Sequence, residues 1–280
     1  MKETVRRLLE NAVDFHLHVG PDPYRERIGD VYDIALQAKN VGMRAVVFKS
    51  YDYPTAPLAQ LAKRFVQGID LIGSLTLNYG VGGINPHAVE ASAKLGARVI
   101  WMPTASTLYE RQKQGFADGI FILDERGKPV PAVREVLKLV KEFDLVLCTG
   151  HITKDETVAL FNEATNMGIK KFVVTHPLKV AGSSLDFNLQ KELADRGATI
   201  EHTFVMTVSL TKRVDPATIA EAIKFVGVER CLLSTDFGQF HNPPPAEGMR
   251  MMLATLMQYG LSEGDLNILV KQSPCRLLGL

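Results

Sequence analysis

The chain has 280 residues, of which 46% are hydrophobic and 22% charged, and its formal net charge is +1. Those proportions suit a soluble globular protein with a sizeable core. The basic residues are spread along the chain with no aromatic-interleaved stripe, which excludes an electrostatic case for nucleic acid or an anionic membrane as partner. Cys148, Cys231 and Cys275 lie far apart without disulfide or metal-motif spacing; the first two sit in apolar runs and read as small buried hydrophobes. The N-terminal MKETVRRLLENAV reads as a short amphipathic helix, not a signal peptide, and no run reaches membrane-spanning length. A cytoplasmic protein with a small-molecule substrate is the expectation.

Residues 13–19, Val-Asp-Phe-His-Leu-His-Val, form the first predicted strand, followed by a Gly/Pro-rich loop and a helix through about Lys39. Gly42 ends that helix, and 43–50 reads as a buried strand. Helix 55–67, strand 69–78, a Gly-rich loop, helix 86–95 and strand 97–103 come next. The rhythm breaks over 104–129, which carries no helical pattern and ends in a β-hairpin turning at Glu125-Arg126-Gly127. It resumes with helix 131–143, strand 144–152, helix 154–167, strand 170–177, helix 187–196, strand 198–205, helix 216–226 and strand 231–238. Helices at about 246–259 and 262–272 close the chain. Near-continuous apolar strands signal a parallel sheet covered on both faces. Eight strand–helix units in one chain, with no linker and no Gly-x-Gly-x-x-Gly after a strand, predict a single (β/α)8 barrel over 1–280.

In such a barrel the C-terminal strand ends converge on one mouth. There the sequence places His16 and His18 (first strand), Lys49 (second), His151 (fifth), His176 (sixth), His202 (seventh) and Asp236 (eighth). Asp14, His16 and His18 alternate onto one strand face, so that Asp14 is expected to orient one ring. Four of these histidines and an aspartate on one face are hard to explain as core packing, since buried imidazole and carboxylate must be paired or ligated. Imidazole and carboxylate suit zinc, with manganese or iron as further candidates.

The pattern Asp14-Phe-His16-Leu-His18, then His151, His176 and Asp236, resembles the amidohydrolase superfamily of metal-dependent hydrolases. The ending Gln272-Ser-Pro274-Cys-Arg-Leu277-Leu278-Gly279-Leu280 is similar to one common there. Gly42-Met-Arg-Ala-Val-Val-Phe-Lys49, Trp101-Met-Pro-Thr104 and Ser234-Thr-Asp236-Phe-Gly-Gln239 resemble a subgroup described only as predicted metal-dependent TIM-barrel hydrolases. The resemblance implies that His16, His18 and Asp236 ligate a metal, that His151 and His176 complete the site, and that Asp236 also takes the proton of the attacking water. Binuclear members bridge two metals with a carboxylated lysine or glutamate from the fourth strand, and ARVIWMP offers neither. Lys49 is the lysine placed for that role, or for binding a substrate carboxylate, or for pairing with Asp52. Tyr51 stands where subgroup members carry a histidine.

On the seventh strand Glu201 and His202 are neighbours and face opposite ways; either could complete the site, and His202 is the preferred inward, catalytic member. Trp101 and the loop residues Tyr109, Arg111, Lys179, Lys212, Arg213 and Phe240 are candidate substrate contacts. The expected activity is hydrolysis of an amide, lactone or other ester bond, with one or two divalent metals per chain. Its rivals are a metal-dependent decarboxylase, with Trp101 and Lys49 binding an aromatic acid, a phosphoesterase, and a metal- or ligand-binding barrel without catalysis. Met249, Met251, Met252, Leu253, Leu256 and Met257 form an apolar face that suits either core or self-association into a homo-oligomer.

Overall fold

A computed structural model describes residues 1–178, 183–208 and 213–280. Eight parallel strands follow one another round a barrel in sequence order. They are β1 (Val13–His18), β2 (Ala45–Lys49), β3 (Asp70–Thr76), β4 (Ala97–Trp101), β5 (Val146–Cys148), β6 (Phe172–Val174), β7 (Thr199–Thr203) and β8 (Cys231–Ser234). The helices are α1 (Lys2–Leu9), α2 (Val31–Asn40), α3 (Ala56–Ala62), α4 (Pro86–Lys94), α5 (Leu108–Lys113), α6 (Pro131–Glu142) and α7 (Lys154–Asn166). After them come α8 (Phe187–Asp195), α9 (Val205–Val208), α10 (Pro216–Val226), α11 (Pro245–Gln258), α12 (Glu263–Asn267) and α13 (Ser273–Leu278). Among the described residues no helix is long and apolar enough to cross a membrane.

Strand side chains alternate between two apolar layers. Val46, Phe48, Leu71, Ile100, Leu147, Val174, Ile200 and Leu233 face the helices. Phe15, Val47, Val99, Trp101, Cys148, Val173 and Leu232 fill the barrel. Leu277 and Leu278 from the chain's end join that inner cluster beside Val13 and Ala45 at the strand starts. Arg98 donates to the Leu278 carbonyl at 2.6 Å. The C-terminal motif thus closes the end of the barrel opposite the mouth.

Three expectations need correction. Residues 104–129 do contain a helix, α5, because the Thr107 hydroxyl accepts from the Glu110 amide and caps a turn too short to show periodicity. The expected hairpin reduces to a tight turn with one antiparallel bridge, Leu123 to Pro129, stitched by Asp124 and Lys128. The segment 262–272 is broken into α12 and one π-helical turn, Ile268–Gln272. The methionine face is core: Met249, Met252, Leu253 and Leu256 are buried and Met251 and Met257 pack against them.

The alternation in β1 is interrupted. Asp14 pairs with Val46 and Leu17 with Phe48, three steps along β1 against two along β2, so β1 carries a bulge. Phe15 and His16 therefore both face inward, and Asp14 is left on the outer face, where it orients no ring. Its carboxylate instead accepts from the Thr235 amide (3.0 Å), the Thr235 hydroxyl (2.5 Å) and the His16 amide (3.3 Å). Beyond it the barrel closes through Asp236 N to His16 O and His18 N to Phe237 O, both at 2.7 Å. Burial raises the Asp14 carboxyl to about 7 despite the Thr235 bonds. Asp14→Ala would strand the Thr235 amide and hydroxyl, at about 1–3 kcal/mol per buried unpaired group. Urea denaturation should show a loss of about 3 kcal/mol. Asp14→Asn should lose less, because its amide oxygen can still accept from Thr235.

Candidate metal centre

The inward groups above Trp101 and Phe15 form a polar layer at the barrel mouth. Lys49 is there because β2 alternates Ala45, Val47 and Lys49 inward. His16 Nδ1 lies 3.1 Å from Glu201 Oε1, and the Ser234 hydroxyl donates to that same oxygen at 2.6 Å. The ring so held turns Nε2 toward Asp236 Oδ1 at 3.2 Å, with Lys49 Nζ 2.9 Å away. His18 Nε2 reaches the same Asp236 oxygen at 3.0 Å, while its Nδ1 has no hydrogen-bond partner among the described residues. His176 Nε2 stands 4.0 Å from the other oxygen, Asp236 Oδ2, and its ring is 5.0 Å from that of His151.

Electrostatics divides these groups. Burial pulls His16 down, yet the Asp236 and Glu201 carboxylates outweigh burial and Lys49 and raise it to about 9. Burial dominates at His18, which falls well below the ordinary imidazole range despite its bond to Asp236. Burial alone would raise Asp236, but His16 and His18 hold it well below the usual carboxylate range. Two carboxylates so placed favour positive charge at His16, and a divalent cation bound there would displace the ring proton.

The donor set fits a metal. His16, His18 and Asp236 offer ligand atoms that all lie within 4.8 Å of one another. Tetrahedral donors on bonds of about 2.1 Å stand roughly 3.4 Å apart, so little adjustment is needed. The carboxylate on the far nitrogen of His16 supplies the outer contact that fixes a ligating imidazole. His176 and Asp236 also adopt positive φ, 30° and 54°. Such backbone costs on the order of 1–3 kcal/mol per residue and persists where the surroundings impose it. Gly238, at φ 128°, lies so close to β1 that a Cβ there would fall 2.0 Å from the His18 carbonyl oxygen.

Several sequence-predicted residues take other places. Glu201, not His202, is the β7 residue in the cluster; Ile200, His202 and Phe204 share the parity that faces the helices. His202 is buried, and its Nε2 has no hydrogen-bond partner among the described residues. Trp101 is fully buried beneath His16, ring centroids 5.2 Å apart, and its indole lies 4.7 Å from Lys49 Nζ, so it underlies the site and does not line it. Arg111 braces its own loop, donating to Asp118 at 2.6 Å and lying 4.0 Å over the Phe116 ring. Asp52 pairs with Arg25 at 3.5 Å. Lys179 and Lys212 lie outside the described residues. His151 stands at the mouth with Nδ1 3.6 Å from Glu110 Oε1.

Sequence reasoning gave no role to Glu110, Ser234 or Arg25, and preferred His202 to Glu201 for the cluster. Arg25 lies 4.6 Å over the Tyr51 ring, which in turn packs 4.7 Å from the His18 ring. The parity of Ile200 and Phe204 is the one signal that points Glu201 inward. Glu110 had none, since a loop helix of six residues has no readable period.

Across nearly the whole chain the fold is a (β/α)8 barrel shared with solved structures. An amidohydrolase from Pseudomonas aeruginosa superposes with a TM-score of 0.68 at 14% identity, covering 99% of this chain and 97% of that one. The probable dipeptidase PvdM from Pseudomonas aeruginosa gives 0.68 at 11%, covering 99% and 97%. A probable 2-pyrone-4,6-dicarboxylic acid hydrolase from Acinetobacter baumannii, with citric acid bound, gives 0.62 at 12%, covering 96% and 100%. At these identities the likeness establishes the fold alone. The chain belongs to the family of unknown function DUF6282, whose model matches residues 11–201. No curated protein matches it.

Burial holds His202 down at about 3, whereas the unfolded imidazole titrates near 6.5. Between those values the unfolded chain binds the extra proton, so this residue's contribution to stability falls as pH drops below about 6.5. Asp14, raised to about 7, acts with the opposite sign over an overlapping range. The difference between wild type and His202→Gln isolates the histidine. Going from pH 7.5 to pH 5, the wild type should lose about 2 kcal/mol relative to the variant in urea melts. A pH-independent difference would place His202 in solvent.

Proposed function

We propose that this chain is a metal-dependent hydrolase that opens an amide, lactone or other ester bond in a small molecule, with zinc, manganese or iron as the metal. The observation that carries the reading is the convergence of His16, His18 and Asp236 at the buried mouth, with His16 braced by Glu201 and Ser234. His16, His18 and Asp236 would hold the metal, and His176 and His151 extend the imidazole set toward the rim. The chemistry such a metal supplies when bound is an acidified water, ready to attack at neutral pH, and a polarised acyl group.

The chain's own groups divide the remaining work. Asp236 Oδ1 is taken up by the two imidazoles, which leaves Oδ2 to accept the proton of the attacking water and return it to the leaving group. Glu201 keeps His16 in the tautomer that presents Nε2. Lys49 Nζ lies 4.7 Å from the Trp101 ring, whose face attracts a cation, and 2.9 Å from His16 Nε2. As an ammonium it would set positive charge beside the reacting group. The decarboxylase reading loses its aromatic clamp because Trp101 is sealed under His16.

Protein purified without chelator or histidine tag should contain at least one divalent metal per chain by elemental analysis. His16→Ala combined with His18→Ala should lose both the metal and any hydrolysis found with a panel of lactones, esters and N-acyl amino acids. Product from labelled water should carry solvent oxygen. No bound metal after incubation with zinc or manganese, or full activity in the double variant, would sink the reading. Glu201→Gln should keep the fold yet bind zinc about 10–100-fold more weakly in chelator competition.

A further inference from the structure

We propose that the outer face of α2 and α3 binds the same face of a second copy of this chain, in a two-fold dimer that sets the two helix pairs antiparallel. The inference is independent of the chemistry at the mouth. Gln60 is the single polar residue among the seven of α3, Ala-Pro-Leu-Ala-Gln-Leu-Ala. A helix apolar on all sides belongs in a core. α3 nevertheless lies on the outside of the barrel and turns its smallest residues inward, burying Ala56, Ala59 and Ala62. They bring it so near β3 that a Cβ on Gly73 would fall 2.2 Å from the Ala56 Cα. The large residues are left outside: Leu58, Leu61 and, in the turn that continues α3, Phe65 recur at helical spacing. Beside it α2 buries Ile34, Ala35 and Ala38 and adds Tyr32 and Leu36, four residues apart, to the same exposed stripe. Tyr32 is 46% exposed, Leu36 36%, Leu61 51% and Phe65 67%. At about 200 Å² for a large side chain, these four offer on the order of 400 Å² of apolar surface. Between the helices runs a groove of about 540 Å³, bordered by Val31, Tyr32, Leu58, Leu61 and Phe65. α6 shows the ordinary pattern, with Val133, Val136, Leu137 and Val140 buried and Arg134, Lys138 and Lys141 outside.

The charges that flank the stripe point to a second copy as its occupant. Asp30 and Asp33 stand exposed at the start of α2. Lys63 and Arg64 stand exposed just beyond the end of α3, and neither has an ion-pair partner among the described residues. Both helices lead from the mouth back to the strand starts, so they run in the same direction. The acids therefore lie at the mouth end of the stripe and the bases at the opposite end. A two-fold axis perpendicular to the helices reverses one copy against the other. It sets the acids of each copy on the bases of its partner and lays apolar stripe on apolar stripe between them. A two-fold axis along the helices would instead bring like charges together. An isologous interface needs a patch complementary to itself, and this arrangement of charge supplies one. A standard interface buries about 800 Å² on each partner, somewhat over half of it apolar. The stripe provides most of that apolar share, and the charged ends provide a polar rim.

Sedimentation equilibrium of the full chain, from micromolar to submillimolar concentration, tests the assignment. The wild type should reach twice the chain mass of 30.9 kDa. Leu61→Ser combined with Phe65→Glu should raise the dissociation constant at least about a hundredfold. Lys63→Glu combined with Arg64→Glu changes exposed side chains alone, which keeps the test decisive should the first variant fold poorly. It should raise the constant about tenfold in low salt and less in high salt. Both variants should keep the wild-type far-ultraviolet circular dichroism. A wild type that stays at 30.9 kDa throughout would overturn the proposal and leave the stripe to a different partner. A dimer undiminished in Leu61→Ser with Phe65→Glu would overturn it by placing the interface elsewhere. A dimer broken by that variant but indifferent to the charge reversal would overturn the antiparallel arrangement.

Discussion

The carboxylate of Asp14, buried against the Thr235 amide and hydroxyl, holds together the seam between the first and last strands. A barrel has no edge only if that seam closes, and here it closes beside a bulge that removes one residue's worth of regular pairing. The Asp14 side chain serves the Thr235 amide where the regular ladder is interrupted. The two backbone bonds that finish the closure belong to His16, His18, Asp236 and Phe237. The three residues of the candidate metal cluster are therefore also the residues that join β8 to β1. Displacing any of them disturbs both the fold and the site.

The same seam explains the arrangement of charge. A buried carboxylate and a buried lysine are costly unless neighbours compensate them. Asp236 is compensated by two imidazoles, Glu201 by His16 and Ser234, and Lys49 stands between His16 and the Trp101 face. The low-dielectric wall beneath them, built from Phe15, Trp101, Cys148 and Val173, strengthens each of these interactions. Positive φ at His176 and Asp236 adds local strain at the same place. Strain and buried charge concentrated at one end of an otherwise apolar barrel mark that end as the candidate functional site.

Where reading from sequence succeeded, it relied on signals carried by long segments. Eight apolar runs separated by helical patterns leave few alternatives to a closed parallel barrel. The strand-end positions of His16, His18, Lys49, His176 and Asp236 followed from that topology, and the structure gathers them in one layer. Where it missed, the deciding information was local and non-periodic. The bulge in β1 cannot be read from Val-Asp-Phe-His, because both faces of a barrel strand are apolar and an extra residue leaves no trace in composition. The choice between Glu201 and His202 failed for the same reason, with only Ile200 and Phe204 to indicate parity. The six residues of α5 were hidden because their cap and their partners, Asn78, Ile120 and Glu156, are distant in sequence.

By itself the sequence determined the architecture and the chemical character of the mouth. Hydrophobic periodicity dictates which segments become strands and helices, and parallel order dictates that the strand ends meet. Only the tertiary structure decided which groups touch: that Asp14 ties the seam, that Glu201 braces His16, that Trp101 lies beneath the site, and that Glu110 comes back to face His151. Contacts of that kind turn on ångström-scale register and on single caps or bulges. Those are settled by packing across the whole barrel, after the periodic pattern has already chosen the fold.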